Sequence, residues 1–264
     1  MIGAVVGDIV GSIYEWDNIK STEFPLFQDH CFFTDDSVLT VALADAILSG
    51  ESYAAKMREY VRRYPDAGYG GHFRAWAKGK LLAPYNSCGN GAGMRISPVG
   101  WAYDTLEQVL LRAEEFTAVT HNHPEGIKGG VATAAAIFLG RTGHGKEQIR
   151  NRIVELVGYD LSLTCDEIRP GYTFDATAQG TTPQAIIAFL ESSDFESAIR
   201  LAISLGGDSD TLACITGSIA EAYYGGVPEE IRRQATGFLD APLLQVTTEF
   251  TRKYCRETFG YEQR

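Results

Sequence analysis

Two short stretches place carboxylates and hydroxyls where chemistry could occur. The first is Gly206-Gly207-Asp208-Ser209-Asp210-Thr211, followed by an apolar run in which Leu212, Ile215, Ile219 and Tyr223 recur at three- to four-residue steps. That spacing predicts a helix with Asp208, Asp210 and Thr211 around its first turn. Helix capping is one reading, because Asp and Thr bond the orphan N–H groups there. A cation site is the other, since hard divalent ions take oxygen ligands. The second stretch, Thr34-Asp35-Asp36-Ser37, opens another apolar run that stops at Gly50. One cap needs one such residue, and the repetition of the pattern favours the cation site. Asp35, Asp36, Asp208 and Asp210 carry four negative charges, matching two divalent cations and offsetting the positive end of a helix. A metal-dependent phosphohydrolase or prenyl-diphosphate enzyme would also use Asp-rich helix ends. The latter chemistry usually takes Asp-Asp-x-x-Asp or Asp-x-x-x-Asp, and neither pattern is present here.

The elements that must hold these groups read as helices. Residues 2–16 carry Gly3, Gly7 and Gly11 at four-residue spacing with Asp8 and Glu15 seven residues apart. A helix through the whole segment would set both acids on one face of a tightly packed element. Helical runs are also expected over 51–64, after Ser97, Pro98 and Gly100 to about Thr117, and over 127–140, 147–157 and 183–205, the last divided by Ser192-Ser193-Asp194. A further helix begins with Pro228 at N1, and the last thirty residues read as helical and peripheral. The stretch 64–74, containing His72 and Arg74, reads as a loop punctuated by Pro65 and three glycines. No series of alternating strands emerges. The expectation is an all-α globular fold with one domain over residues 1–264.

Composition narrows the function classes. A net charge of −11 argues against a nucleic-acid backbone or an anionic membrane as the main partner. The five cysteines stand singly, which reads as free thiols in a reducing compartment. Asp8 interrupts the first apolar run too early for a signal peptide or membrane span, so the cytoplasm is expected. The glycine-rich Asn86–Arg95 stretch is weighed as a plain turn and as a phosphate-binding loop. His121 and His123 lack further ligands at zinc spacing; a hydrogen-bonded loop histidine is the reading for His123, and His121 stays open. Gly140 to Glu147 nearly spells a P-loop but puts Glu147 where Ser or Thr should stand, and follows a helix rather than a strand.

Taken together, Gly7-Asp8 through Glu15, Thr34-Asp35-Asp36-Ser37, Gly89-Asn90-Gly91-Ala92-Gly93-Met94-Arg95, Thr120-His121 and Gly206 through Thr211 resemble, in order, the ADP-ribosylglycohydrolase family. The resemblance covers nearly the whole chain. It implies an orthogonal all-α fold with two Mg²⁺ (or Mn²⁺) ions in a cleft. By position it makes Thr34, Asp35, Asp36, Asp208, Asp210 and Thr211 the metal ligands and Glu15 the catalytic acid, with Asp8 a supporting polar residue beside it. Gly89, Asn90, Gly91, Gly93 and Met94 would line the diphosphate and His121 the ribose, while Tyr69 or Tyr172 are candidates for stacking on adenine. The implied activity is hydrolysis of an N- or O-glycosidic bond between ADP-ribose and a protein side chain or small molecule, by a monomer. The rim loops 18–33 and 64–74 would meet the acceptor. A catalytically silent ADP-ribose-binding member of the fold is the non-enzyme alternative.

Overall fold

A computed structural model describes residues 1–80 and 83–255. In chain order the first helices are α1 (Ile2–Gly11), α2 (Asp35–Ser49), α3 (Tyr53–Arg63), α4 (Gly71–Lys78), α5 (Gly91–Arg95), α6 (Ser97–Ala102), α7 (Leu106–Ala118) and α8 (Pro124–Arg141). They are followed by α9 (Lys146–Val157), α10 (Cys165–Ile168), α11 (Ala178–Glu191), α12 (Phe195–Ser204), α13 (Ser209–Tyr223), α14 (Glu229–Thr236) and α15 (Ala241–Tyr254). The described residues contain no strand, and their one β-bridge pairs Gly89 with Thr177. The all-α expectation is therefore met. No described helix is long and apolar enough to cross a membrane.

The centre of the packing is α13, buried on every side along its length up to Ala222. A helix apolar all round has no solvent face to present and must be enclosed. Two of its hydroxyls bond backbone carbonyls: Thr216 Oγ1 donates to that of Ala185 at 2.8 Å and Ser218 Oγ to that of Ile215 at 2.7 Å. Against it lies α1, whose ten residues are all buried. Here the four-residue glycine spacing has its explanation. A Cβ on Gly7 would stand 1.9 Å from the Ala213 carbonyl oxygen, and one on Gly3 2.1 Å from that of Gly217. The two backbones touch because neither has a side chain between them. Full burial of Val5, Val6, Ile9 and Val10 on the remaining faces of α1 contributes about 1.5–3 kcal/mol apiece. At the far end the Met1 amino group and the Gly3 amide both donate to Glu221.

Several boundaries differ from the sequence expectation. The first helix stops at Gly11 rather than near residue 16, so Glu15 lies in the turn beyond it. The reason is the crossing with α13: Gly11 packs on the backbone of Ser209 and Asp210, where a Cβ would meet Asp210 Cα at 2.5 Å. His72 and Arg74 stand on α4, not in a loop. The glycine-rich stretch winds into a helical turn from Gly91. The run assigned to 183–190 begins at Ala178, with Pro183 inside the helix, and Pro228 is the N-cap of α14 rather than its first residue. The expected helix to Thr117 is divided into α6 and α7. Gly143 (φ 85°) and Gly145 form the turn between α8 and α9, as the rejection of a P-loop required. The last thirty residues hold α14 and α15, and α15 buries Leu243, Thr247 and Phe250 against the core rather than lying wholly at the periphery. The end of that stretch, 256–264, lies outside the described residues.

Candidate active site

The two Asp-bearing helix starts meet. Thr34 caps α2, its side chain accepting from the Asp36 amide at 3.3 Å. The hydroxyls of Thr34 and Thr211 each reach Asp36 Oδ2 at 3.4 Å, one from each start. Asp36 Oδ1 is buried with no hydrogen-bond partner. An orphaned buried carboxylate oxygen is costly unless something absent from the protein alone completes it. Oxygens of Asp8, Asp36 and Asp210 lie within 4.8 Å of one another, and so do those of Glu15, Asp208 and Asp210. Asp210 belongs to both groups. An all-oxygen, strongly anionic donor set of this kind suits Mg²⁺ or Mn²⁺ rather than a thiophilic metal.

Positioning comes from three devices. Asp8, on α1, is fully buried and accepts the Thr34 amide at 2.9 Å, the Thr34 hydroxyl at 2.6 Å and the Ser37 amide at 3.1 Å. It fixes the start of α2 from below and does not line the cleft. Asp208 takes the N-cap position of α13 without making a cap hydrogen bond. Its Oδ2 instead accepts from Asn90 Nδ2 at 2.7 Å, and Asn90 also donates to Thr181 at 3.1 Å. Finally, Asn18 ties the turn carrying Glu15 to the turn preceding Asp208. Its Nδ2 donates to the carbonyls of Tyr14 (2.6 Å), Glu15 (3.0 Å) and Gly207 (2.9 Å), and its Oδ1 accepts the Gly207 amide at 2.8 Å. Gly206 and Gly207 both adopt φ of 74°, a conformation that favours glycine.

The electrostatics follow from crowding. Burial is the main cause that raises the carboxyls of Asp8, Asp36, Asp208 and Asp210, and neighbouring acids add to the rise at Asp36 and Asp210. Asp35 is pushed up to about 8 by burial, then by the charges of Asp8 and Asp208. Glu15, half-buried, is raised to about 7 by desolvation and then by Asp208. A cation in their midst would reverse the sign of this field.

Glu15, Asp35, Asp36, Asp208 and Asp210 form the floor of a cleft of about 590 Å³, within the range that encloses a nucleotide-sized ligand. Gly89, Asn90, Gly91, Met94 and His121 line one wall, whereas Gly93 packs behind it against Ile215 and Thr182. His121 is buried, with Nε2 toward Gly89 and Gly91. His123 caps α8 through Nδ1, which accepts the Glu125 amide at 3.1 Å. Neither Tyr69 nor Tyr172 reaches the cleft. Tyr69 packs on Phe73 in the core, and Tyr172 donates to the Gly180 carbonyl at 2.8 Å while lying against Gly207. The aromatic lining comes from residues that sequence reasoning passed over. Tyr85 stands beside His121 with ring centroids 6.1 Å apart, and Trp16 stacks on Phe174 at 5.1 Å, with Trp16 79% exposed at the mouth. The signal for Trp16 was its adjacency to Glu15; for Tyr85, its place at the head of the glycine stretch. Of the rim loops, Phe32, Phe33, Asp66 and Gly68 face the cleft.

The model of the ADP-ribosylglycohydrolase family matches residues 1–258. The chain is 28% identical to ADP-ribosylhydrolase ARH3 of Mus musculus, over 92% of this chain and 88% of that protein. It is 26% identical to ADP-ribosylarginine hydrolase Tri1 of Pseudomonas putida (strain GB-1), over 87% and 71% respectively. A solved structure described as an ADP-ribosylglycohydrolase-related protein complex superposes with a TM-score of 0.71 at 26% identity, covering 95% of each chain.

Proposed function

Because the chain belongs to the ADP-ribosylglycohydrolase family, we propose that its cleft hydrolyses the glycosidic bond joining the terminal ribose of ADP-ribose to an acceptor group. The observation that carries this reading is the pair of oxygen clusters sharing Asp210 beneath the glycine-rich wall, with Glu15 in one of them. A pair of Mg²⁺ or Mn²⁺ ions held by Thr34, Asp35, Asp36, Asp208, Asp210 and Thr211 would polarise the ribose hydroxyls and lower the pKa of bound water.

The chain's own residues divide the remaining work. The wall from Gly89 to Met94 takes the diphosphate, where absent side chains let the backbone approach. His121 holds an oxygen of the ligand, and Tyr85, beyond the glycine wall from the acids, takes the adenine face. As the bond from C1 to the acceptor breaks, the acceptor takes up the proton that Glu15 removes from the attacking water and leaves past Trp16 and Phe174 at the mouth. Glu15 orients the water that attacks the ribosyl C1 and takes its proton on a carboxylate oxygen. Asp8 acts by holding Thr34 and Ser37, not by meeting the ligand.

The test is turnover of peptides ADP-ribosylated on arginine or on serine, with Mg²⁺. Release of ADP-ribose from at least one, abolished by a chelator, is the expected outcome. Glu15→Gln should bind ADP-ribose with near-normal affinity while the single-turnover rate falls roughly 100-fold or more, the usual reach of general acid–base catalysis. Turnover that survives chelation, or an unimpaired Glu15→Gln enzyme, would overturn this assignment.

A further inference from the structure

The two ring nitrogens of His121 meet different neighbours. Nδ1 lies 2.7 Å from Thr120 Oγ1 and 3.3 Å from Arg95 Nη2. Nε2 faces the glycine wall, 3.4 Å from where a Cβ on Gly91 would stand and 3.6 Å from one on Gly89. A guanidinium is a donor at every nitrogen and keeps its proton at all working pH values. A hydrogen on Nδ1 would therefore set two donors against each other. Thr120 completes the assignment. Its Oγ1 accepts from Arg95 Nη2 at 2.5 Å, and with Arg95 already a donor beside Nδ1, the Thr120 hydroxyl hydrogen is the matching partner for a lone pair there. With the lone pair on Nδ1, the single ring proton sits on Nε2, toward the cleft.

Arg95 is held in place for this task. It is 1% exposed, and its guanidinium lies 5.7 Å from the ring centroids of both Tyr53 and Phe73. Among the described residues no carboxylate pairs with it, so its charge is not neutralised beside the imidazole. A cation at that distance, in a buried setting, opposes a second positive charge on the ring. Burial first and Arg95 second hold the His121 pKa well below its ordinary value. Tyr85 is the other titratable ring against His121, and burial raises its pKa, which keeps it neutral.

We propose that Arg95 and Thr120 are positioning residues that lock His121 as a neutral imidazole with its proton on Nε2, giving the cleft an uncharged donor for a ligand's acceptor oxygen. The identity of that oxygen as one belonging to ADP-ribose rests on the function proposed above; the tautomer does not. A neutral donor binds without the desolvation cost of an imidazolium and leaves the local charge to the cation site.

The experiment is long-range ¹H–¹⁵N NMR on the full chain labelled at histidine, with His121 assigned by loss of its signals in His121→Gln. At pH 7 His121 is expected to show a protonated Nε2 and a bare Nδ1. Thr120→Val keeps the volume and removes the hydroxyl, and should shift His121 toward a tautomer mixture. It should also weaken ADP-ribose binding about fivefold to tenfold, the scale of one hydrogen bond. Thr120→Ser should restore both. Equal losses with ADP would place the oxygen on the ADP part that the two ligands share, and a loss confined to ADP-ribose would place it on the terminal ribose. A role in packing alone would lower the melting temperature and leave the tautomer as it is. A wild-type His121 protonated on Nδ1, or doubly protonated at pH 7, overturns the proposal, as does a Thr120→Val chain with unchanged tautomer and affinity. A wild-type chain with the Nε2–H form that does not bind ADP-ribose removes the functional reading and leaves the tautomer assignment standing.

Discussion

The starts of α2 and α13 are spelled alike and built differently. At α2 the hydroxyl of Thr34 does the capping, so both carboxylates that follow are released from that duty. Asp8 reaches in from another helix to hold the turn. At α13 no side chain from the N-cap residue satisfies the helix. The Thr211 amide is met by its own neighbour, Asp210 Oδ1, at 2.9 Å, and Asp208 is held from outside by Asn90. The difference teaches that an Asp at a helix start is informative only once the donor it serves is known. Asp36 keeps one buried oxygen with no partner, whereas Asp208 has an oxygen that already accepts a hydrogen bond from an amide.

Removing what the two starts share should have the largest effect. Both rest on α1, and Gly7→Val would place side-chain atoms inside the Ala213 peptide. We expect a loss of about 3 kcal/mol or more, read as a lowered melting temperature with loss of cation binding. A stable Gly7→Val protein would show that the close crossing is not what aligns the starts.

Next come the carboxylates. Asp36→Asn and Asp208→Asn should each reduce cation-dependent turnover roughly a thousandfold, the equivalent of about 4 kcal/mol. Without cation the two should part company. An acid whose folded pKa is raised adds stability below its unfolded value near 3.8, and that contribution is lost as pH rises through the folded value. Replacing it with Asn removes the loss. At pH 8 the cation-free Asp36→Asn chain should therefore melt higher than wild type, and Asp208→Asn should gain less, because Asn90 already serves that carboxylate. Melting curves at pH 5 and pH 8 with chelator decide it; equal gains at both positions would erase the distinction between the starts.

Asn90→Ala loosens one start only. It should weaken cation affinity about 10- to 100-fold by calorimetry, as loss of a group that orients a ligand does, and leave the Thr34 cap intact. An unchanged affinity would mean that Asp208 needs no tether. The smallest effect is expected at Asp166→Ala. That carboxylate is exposed beside Arg169, remote from both starts, and stability should stay within about 0.5 kcal/mol with turnover unaltered.

Much of this arrangement was legible in the sequence because it is local. Thr34 and Gly50 mark the ends of α2 through cap chemistry, and the 3.6-residue recurrence after Asp210 marks α13. What could not be read depends on neighbours distant along the chain. Periodicity carried α1 past Gly11, but the backbone of Ser209 and Asp210 turns the chain there, and Asn18 then fixes Glu15 from Gly207. Asn90 sits in a glycine-rich motif that suggests phosphate, yet its amide is engaged by Asp208. Arg95 belongs to the same motif, and only the fold sets it beside Thr120 and His121. The aromatic lining escaped for the same reason, since Tyr85 and Trp16 resemble any other surface aromatics until the walls are assembled.

The crossing of α1 with α13 also has a consequence in time. The amide of Gly3 and its acceptor Glu221 are 218 residues apart. At ordinary rates of synthesis, roughly 5–20 residues per second, α1 waits on the order of 10–40 s for the element that covers it. Throughout that interval a ten-residue helix with no polar face is without its partner. Closing so long a loop has an entropic cost before its contacts form, which tends to slow folding. In the nascent chain the apolar surface of α1 therefore stays uncovered until α13 is made, and the acidic floor of the cleft is assembled only then.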